Sequence, residues 1–182
     1  MTKQVKKIVL YGPESTGKTM LAQQLATHFN TLWVPEFARA YLENKRNFYD
    51  PNTPSSSEIC TESDIPSIVI GQISDEDALQ NQAHTYLFCD TNPLQTAVYV
   101  KYYYGKNYQW LNGIIGQRTY NLYLLMDIDV PWVDDPLRDR PYARKELFEL
   151  FENTLIENKQ KYIIISGDYD QRLQRAIKIL EN

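Results

Sequence analysis

A lysine, a threonine and two glycines at fixed spacing set the first piece of chemistry in this chain. Gly12-Pro13-Glu14-Ser15-Thr16-Gly17-Lys18-Thr19 fits the pattern G-x-x-x-x-G-K-[ST], and Lys7-Ile8-Val9-Leu10-Tyr11 leads into it as a strand. The glycines permit a tight turn that aims several backbone N–H groups at one anion, and the helix opening at Lys18 adds the positive end of its dipole. Lys18 would reach the β- and γ-phosphates of a nucleoside triphosphate, with ATP as the expected ligand. Thr19 would place its hydroxyl on a bridging Mg²⁺. The candidate nucleotide-binding segment is therefore Gly12, Pro13, Glu14, Ser15, Thr16, Gly17, Lys18, Thr19 and Met20.

Carboxylates follow the other apolar runs directly. Glu36 comes after Thr31-Leu32-Trp33-Val34, Asp90 ends Tyr86-Leu87-Phe88-Cys89, Asp127 follows Leu122-Tyr123-Leu124-Leu125-Met126, and Asp168 comes after Ile163-Ile164-Ile165. Moving a γ-phosphoryl group requires positioning, charge neutralisation and a group that orients the attacking oxygen. Asp90 is a candidate for the Mg²⁺ site together with Thr19, or for the base that accepts the acceptor's proton; Glu36 competes for the second role. Asp90 also suits a helix N-cap, since Asp favours that position. Between the last two runs, over about 127–145, lie Asp129, Trp132, Asp134, Asp135, Arg138, Asp139, Arg140 and Arg144, a density of charge that reads as a lid. Arg138, Arg140 or Arg144 would close over the transferred group, where an arginine contributes on the order of 10³-fold or more in rate. The plainer alternative is a solvated loop whose charges pair with one another. Lys18, Glu36, Asp90 and Arg138 are the catalytic candidates, and Arg140 and Asp168 are assigned to the nucleotide.

The elements that must position these groups can be read from periodicity. Leu21, Leu25 and Phe29 mark a helix after the loop, Phe37 to Glu43 a second, and Ile65 to Ala83 a third with Pro66 in its first turn and an acidic outer face at Asp75, Glu76 and Asp77. The aromatic tract from Tyr99 to Tyr123 predicts helices packed on the sheet. Leu147-Phe148-Phe151-Leu155 and Leu173-Ala176-Ile177-Leu180 complete the set. Five apolar runs separated by helices imply an α/β three-layer sandwich of the P-loop NTPase kind, with a five-stranded parallel sheet covered on both faces. In such sheets ligands bind beyond the carboxyl ends of the strands. The polar stretch 44–63, with Pro51, Pro54 and Ser55-Ser56-Ser57, reads as a long mobile loop on the ligand side.

At 182 residues the chain suits one domain over 1–182, and its net charge of −4 without a long basic cluster speaks against a nucleic-acid partner. No apolar run approaches a membrane span, and the basic N-terminus enters a strand without a signal segment, so a cytoplasmic location is expected. Cys60 and Cys89 form neither a metal pattern nor a disulfide framework. The expected partner is a small molecule, and a homo-oligomer is compatible with the sequence without being specified by it.

Together these residues resemble the ribosylnicotinamide kinase domain of NadR-type proteins, within the P-loop nucleoside and nucleotide kinases. The resemblance runs nearly end to end and is carried by the glycine loop, by Glu36-Phe37-Ala38-Arg39 with Glu43, and by Asp64-Ile65-Pro66 followed by Gly71-Gln72. Asp90-Thr91-Asn92 and Trp132-Val133-Asp134-Asp135 with Arg138 complete it. It implies ATP-dependent phosphorylation of the 5′-hydroxyl of nicotinamide riboside, with Glu36, Arg39, Asp90, Trp132 and Asp135 toward the substrate. A pyridinium cation over the Trp132 indole would gain about 0.5–2 kcal/mol. The adenylyltransferase and DNA-binding portions of longer members are not matched, so neither activity is implied. Two rivals stand beside this reading. A nucleoside-monophosphate kinase would need an arginine grip on the acceptor's phosphate, for which Arg39, Arg46 and Arg118 are available. The other is a slow regulatory ATPase acting through a partner.

Overall fold

A computed structural model describes residues 4–47, 59–138 and 140–182. The five apolar runs become strands β1 (Lys6–Tyr11), β2 (Leu32–Val34), β3 (Tyr86–Asp90), β4 (Leu122–Met126) and β5 (Tyr162–Ile165). They form one sheet in the order β2-β3-β1-β4-β5, and every neighbouring pair is parallel. Burial on both faces explains why the strands read as continuous apolar runs rather than alternating ones. Ile8, Leu10, Phe88 and Leu124 face one core with Leu21, Leu25 and Ala176. Val9, Tyr11, Leu87 and Leu125 face the other with Leu94, Val98, Phe151 and Leu155.

The covering helices are α1 (Lys18–His28), α2 (Phe37–Asn47), α3 (Ile65–Gln80), α4 (Pro93–Tyr104), α5 (Gln109–Gln117), α6 (Arg144–Glu157) and α7 (Tyr169–Glu181). Pro66 and Pro93 sit in the first turns of α3 and α4, where a missing N–H costs nothing. The register pairs Leu10 with Asp90 and Tyr11 with Leu125, so the loop after β1 leaves the sheet between the tips of β3 and β4.

Three expectations change. The helix expected to end at Glu43 runs to Asn47. Of the expected mobile loop, 48–58 lies outside the described residues, and Glu62–Asp64 closes it as a 3₁₀ turn. Asp64 there accepts hydrogen bonds from the Thr61 N–H at 2.7 Å, the Tyr41 hydroxyl at 2.9 Å and Lys45 at 2.5 Å. Burial works to raise its carboxyl pKa, but Lys45, Thr61 and Tyr41 together hold it at about 2, tying α2 to the start of α3.

The acidic face of α3 is also not solvated throughout. Glu76 is fully buried and accepts from Lys7 Nζ at 2.6 Å, Arg118 at 2.8 Å and the Tyr120 hydroxyl at 2.9 Å. Three donors from two remote segments, β1 and the connection between α5 and β4, converge on it, which no local period reports. No helix among the described residues is long and apolar enough to cross a membrane.

Candidate active site

Gly12 and Gly17 adopt φ of 133° and 81°, outside the range of ordinary side chains, and bend the β1–α1 connection into the expected cradle. A Cβ on Gly17 would also meet the Tyr169 ring at 2.9 Å. Inside the loop Thr16 Oγ1 donates to the Pro13 carbonyl at 2.8 Å, and Lys18 Nζ donates to the carbonyls of Gly12 and Pro13 at 2.9 and 2.7 Å. A buried ammonium must find acceptors, and here it finds them in the backbone of its own loop. Burial lowers the Lys18 pKa, opposed by the carboxylates of Glu36, Asp90 and Glu14. Gln95 of α4 accepts from the Gly12 N–H at 3.3 Å, fixing the start of the turn from behind.

Beside the loop, Asp90 at the tip of β3 accepts from the Thr19 hydroxyl at 2.5 Å. Its second oxygen, Oδ1, is buried with no hydrogen-bond partner among the described residues. Burial first, then the neighbouring Glu36 carboxylate, push the Asp90 carboxyl up to about 7, with Lys18 and the Thr19 bond pulling the other way. A threonine hydroxyl and an orphaned carboxylate oxygen side by side fit a hard divalent cation. Among the described residues no group of three or more His, Cys, Asp or Glu side chains could hold a metal unaided, so a cation at Thr19 and Asp90 would take its other ligands from phosphate and water. The helix N-cap role falls to Asn92 instead, whose side chain accepts from the Gln95 N–H at 3.2 Å.

The charged segment after β4 docks directly on the loop. The Val133 N–H donates to Ser15 Oγ at 2.8 Å, Arg144 donates to the carbonyls of Ser15 at 3.2 Å and Val130 at 2.8 Å, and Arg138 donates to the Val133 carbonyl at 2.7 Å. Arg39 on α2 reaches across to Asp135 at 3.0 Å and to Glu43 at 3.2 Å. These contacts join the lid to both the nucleotide loop and α2.

A cavity of about 370 Å³ opens between these parts. Glu14 to Met20, Glu36, Arg39 and Arg138 contribute to its wall, while Gly12 and Pro13 at the start of the loop do not and Asp90 lies next to Thr19 without lining it. Four further expected residues are not brought into the wall. Trp132 donates its indole N–H to Asp134 at 2.8 Å. Asp135 is occupied by Arg39 and by the Leu137 N–H at 2.9 Å. The Arg140 guanidinium lies over the Tyr103 ring at 5.1 Å. Asp168 caps α7 through the Gln171 N–H at 2.9 Å. Of the three arginines offered for an acceptor phosphate, Arg39 alone lines the cavity. Arg118 is held by Glu76 and Asp77 near Lys7, at the opposite end of β1.

Sequence reasoning missed Arg172 and Tyr169, and it named Gln72 only within the Gly71-Gln72 pair of the resemblance, without a role. Arg172 on α7 is 1% exposed. It donates to the carbonyls of Thr16 at 2.6 Å, Gly167 at 2.7 Å and Asp127 at 2.9 Å, and pairs with Asp129. Tyr169 starts α7 and places its ring against Gly17. Gln72 projects from α3 into the cavity wall. Each is far in sequence from what it touches, and no spacing rule connects them; the short Asp129 to Arg144 charge run was the one available hint of a partner for Arg172.

A family model described as AAA domain (AAA_28) matches residues 7–172. The trifunctional NAD biosynthesis/regulator protein NadR of Escherichia coli (strain K12) is 28% identical over 180 residues, covering 97% of this chain and 42% of that protein. A crystal structure of NadR protein in complex with NR is similar with a TM-score of 0.80 and 24% identity, over 98% of this chain and 51% of the other. NadR in complex with NAD and AMP-PNP gives 0.79 and 25%, over 98% and 49%. Thymidylate kinase from Ehrlichia chaffeensis shares the fold at a TM-score of 0.65 and 16% identity, over 97% and 98%. The chain spans about half the length, or less, of the NadR relatives it matches. With a glycine cradle at the tip of the central strand and a matching region that runs from β1 into α7, the chain belongs to the AAA_28 family of P-loop domains.

Proposed function

We propose that this chain is an ATP-dependent kinase that phosphorylates the 5′-hydroxyl of nicotinamide riboside, giving nicotinamide mononucleotide for NAD synthesis. The observation that carries this reading is a shared cavity: the phosphate cradle, Glu36 and Arg39 all line it, and Glu36 lies close enough to Lys18 and Asp90 to act on their charges. The likeness to NadR in complex with NR supports the acceptor, and the likeness to NadR with NAD and AMP-PNP supports ATP as donor. A kinase unit over residues 1–182, a cytoplasmic location and small-molecule partners go with this reading.

In the reaction the 5′-oxygen of the riboside forms a bond to the γ-phosphorus while the bond from that phosphorus to the β-bridging oxygen breaks, leaving ADP. Glu36, which faces the cavity, accepts the hydroxyl proton. Lys18 exchanges the Gly12 and Pro13 carbonyls for phosphate oxygens, so its charge is already in place before nucleotide arrives. Thr19 and Asp90 would hold Mg²⁺, which when bound neutralises charge on the β- and γ-phosphates. Arg138, carried into the wall by the lid, faces the transferred group.

The test is ADP release by the full chain with ATP and Mg²⁺ against single acceptors. Nicotinamide riboside should stimulate it, and Glu36→Gln should cut that rate about 10²-fold or more. Stimulation by a nucleoside monophosphate in place of the riboside, or by no acceptor at all, overturns the reading.

A further inference from the structure

Helices α2, α3 and α4 give the cavity wall a set of apolar and aromatic side chains, Leu42 of α2, Ile65 and Ile68 of α3, and Tyr99 and Tyr103 of α4. Two amides interrupt them, Gln95, which is engaged with the Gly12 N–H, and Gln72. Gln72 lies on the same stripe of α3, seven residues after Ile65 and four after Ile68, and is 3% exposed. The orientation of its side chain is forced. The Phe37 N–H at the start of α2 donates to Gln72 Oε1 at 2.8 Å, and a donor N–H must meet the oxygen of an amide, so the NH₂ group is turned away from α2. Gln72 Nε2 is then buried and makes no hydrogen bond among the described residues. Gly71 holds this arrangement in register: a Cβ there would overlap the Phe37 ring, so the first turn of α2 rests directly on α3. Buried amide donors are almost always paired, and one locked in place in a cavity wall marks where a ligand completes the bond.

The geometry points to Gln72 as a specificity-determining residue that donates from Nε2 to an oxygen acceptor on a non-reacting part of the nucleoside. This rests on the kinase reading above and adds the functional group its substrate must carry. Because Oε1 is already committed to Phe37, Gln72 presents donors only. It favours substrates that offer a carbonyl or hydroxyl oxygen at this position and disfavours those that offer an amino group, which would leave two donors opposed.

The experiment pairs two variants with trimmed substrates. Gln72→Glu keeps an oxygen for the Phe37 N–H and removes the NH₂ donor; Gln72→Met removes both. Kinetics of the full chain with ATP and Mg²⁺ are measured on nicotinamide riboside, on the pyridinium riboside lacking the carboxamide, and on the 2′- and 3′-deoxy ribosides, alongside calorimetric affinities for each. Wild type should lose about tenfold or more in kcat/KM on the analogue that lacks the paired oxygen, while both variants lose no more than about twofold on that same analogue. Their affinity for ATP should stay at the wild-type value, which checks that they fold. Equal discrimination among the analogues by wild type and both variants overturns the inference. If wild type turns over no nucleoside, the kinase reading falls instead, and the same comparison is read from the calorimetric affinities, where equal affinities of wild type and variants again overturn the role of Gln72.

Discussion

Asp90 concentrates the electrostatics of the site in one side chain. It is 1% exposed, one oxygen is bonded to Thr19 and the other has no partner among the described residues. Because burial and Glu36 raise its carboxyl to about 7 in the folded chain, the native state holds a proton that the unfolded chain releases near pH 4. The stability this proton contributes is fully present below about pH 4 and is lost as pH rises toward 7. Asp90→Asn is therefore expected to melt with wild type near pH 4 and several degrees above it at pH 8, at about 2–4 °C per kcal/mol. The same variant should lose Mg²⁺-dependent turnover, and a melting difference independent of pH would contradict the assignment. Asp90 was legible from its place after an apolar run. Trp132 shows the limit of that approach: the resemblance that picked it could not reveal that its indole N–H is taken up by Asp134, outside the cavity wall.

At the scale of elements, α7 and the lid act as braces for the glycine loop. Arg172 spends one N–H on Thr16 inside the loop and others on Gly167 and Asp127 at the tips of β5 and β4, so one planar fork fastens three chain segments. Arg172→Met is expected to orphan those carbonyls, lower stability by about 2–4 kcal/mol in urea unfolding and raise KM for ATP about tenfold, with a smaller change in KM for the nucleoside. Arg172→Lys should recover little, because a point charge cannot serve three acceptors in a plane. The helices themselves were readable from their 3.6-residue periods, and the strands from their apolar runs. Their fastenings were not, since Thr16 and Arg172 lie 156 residues apart and their contact exists only once the sheet has formed.

Taken whole, the molecule stands on a parallel sheet whose two faces carry separate cores. Leu155 of α6 is fully buried in the second core and is not part of the cavity wall. Leu155→Ala should cost about 2–5 kcal/mol by chemical denaturation and leave kcat near wild type well below the melting point. The five-stranded parallel sheet followed from apolar runs separated by helices, whereas Glu76 was read only as one of three charges on an acidic face, because local charge density hides partners drawn from β1 and from just past α5. Polar demand is distributed unevenly along β1. At its start, Glu76 is answered on the spot by Lys7, Arg118 and Tyr120; past its end, Asp90 Oδ1 and Gln72 Nε2 have no answer among the described residues. A saturation library should accordingly split in two along this strand. Lesions at the lower end would deplete folded protein and spare turnover per molecule, and lesions at the upper end would leave abundant, well-folded and catalytically silent material.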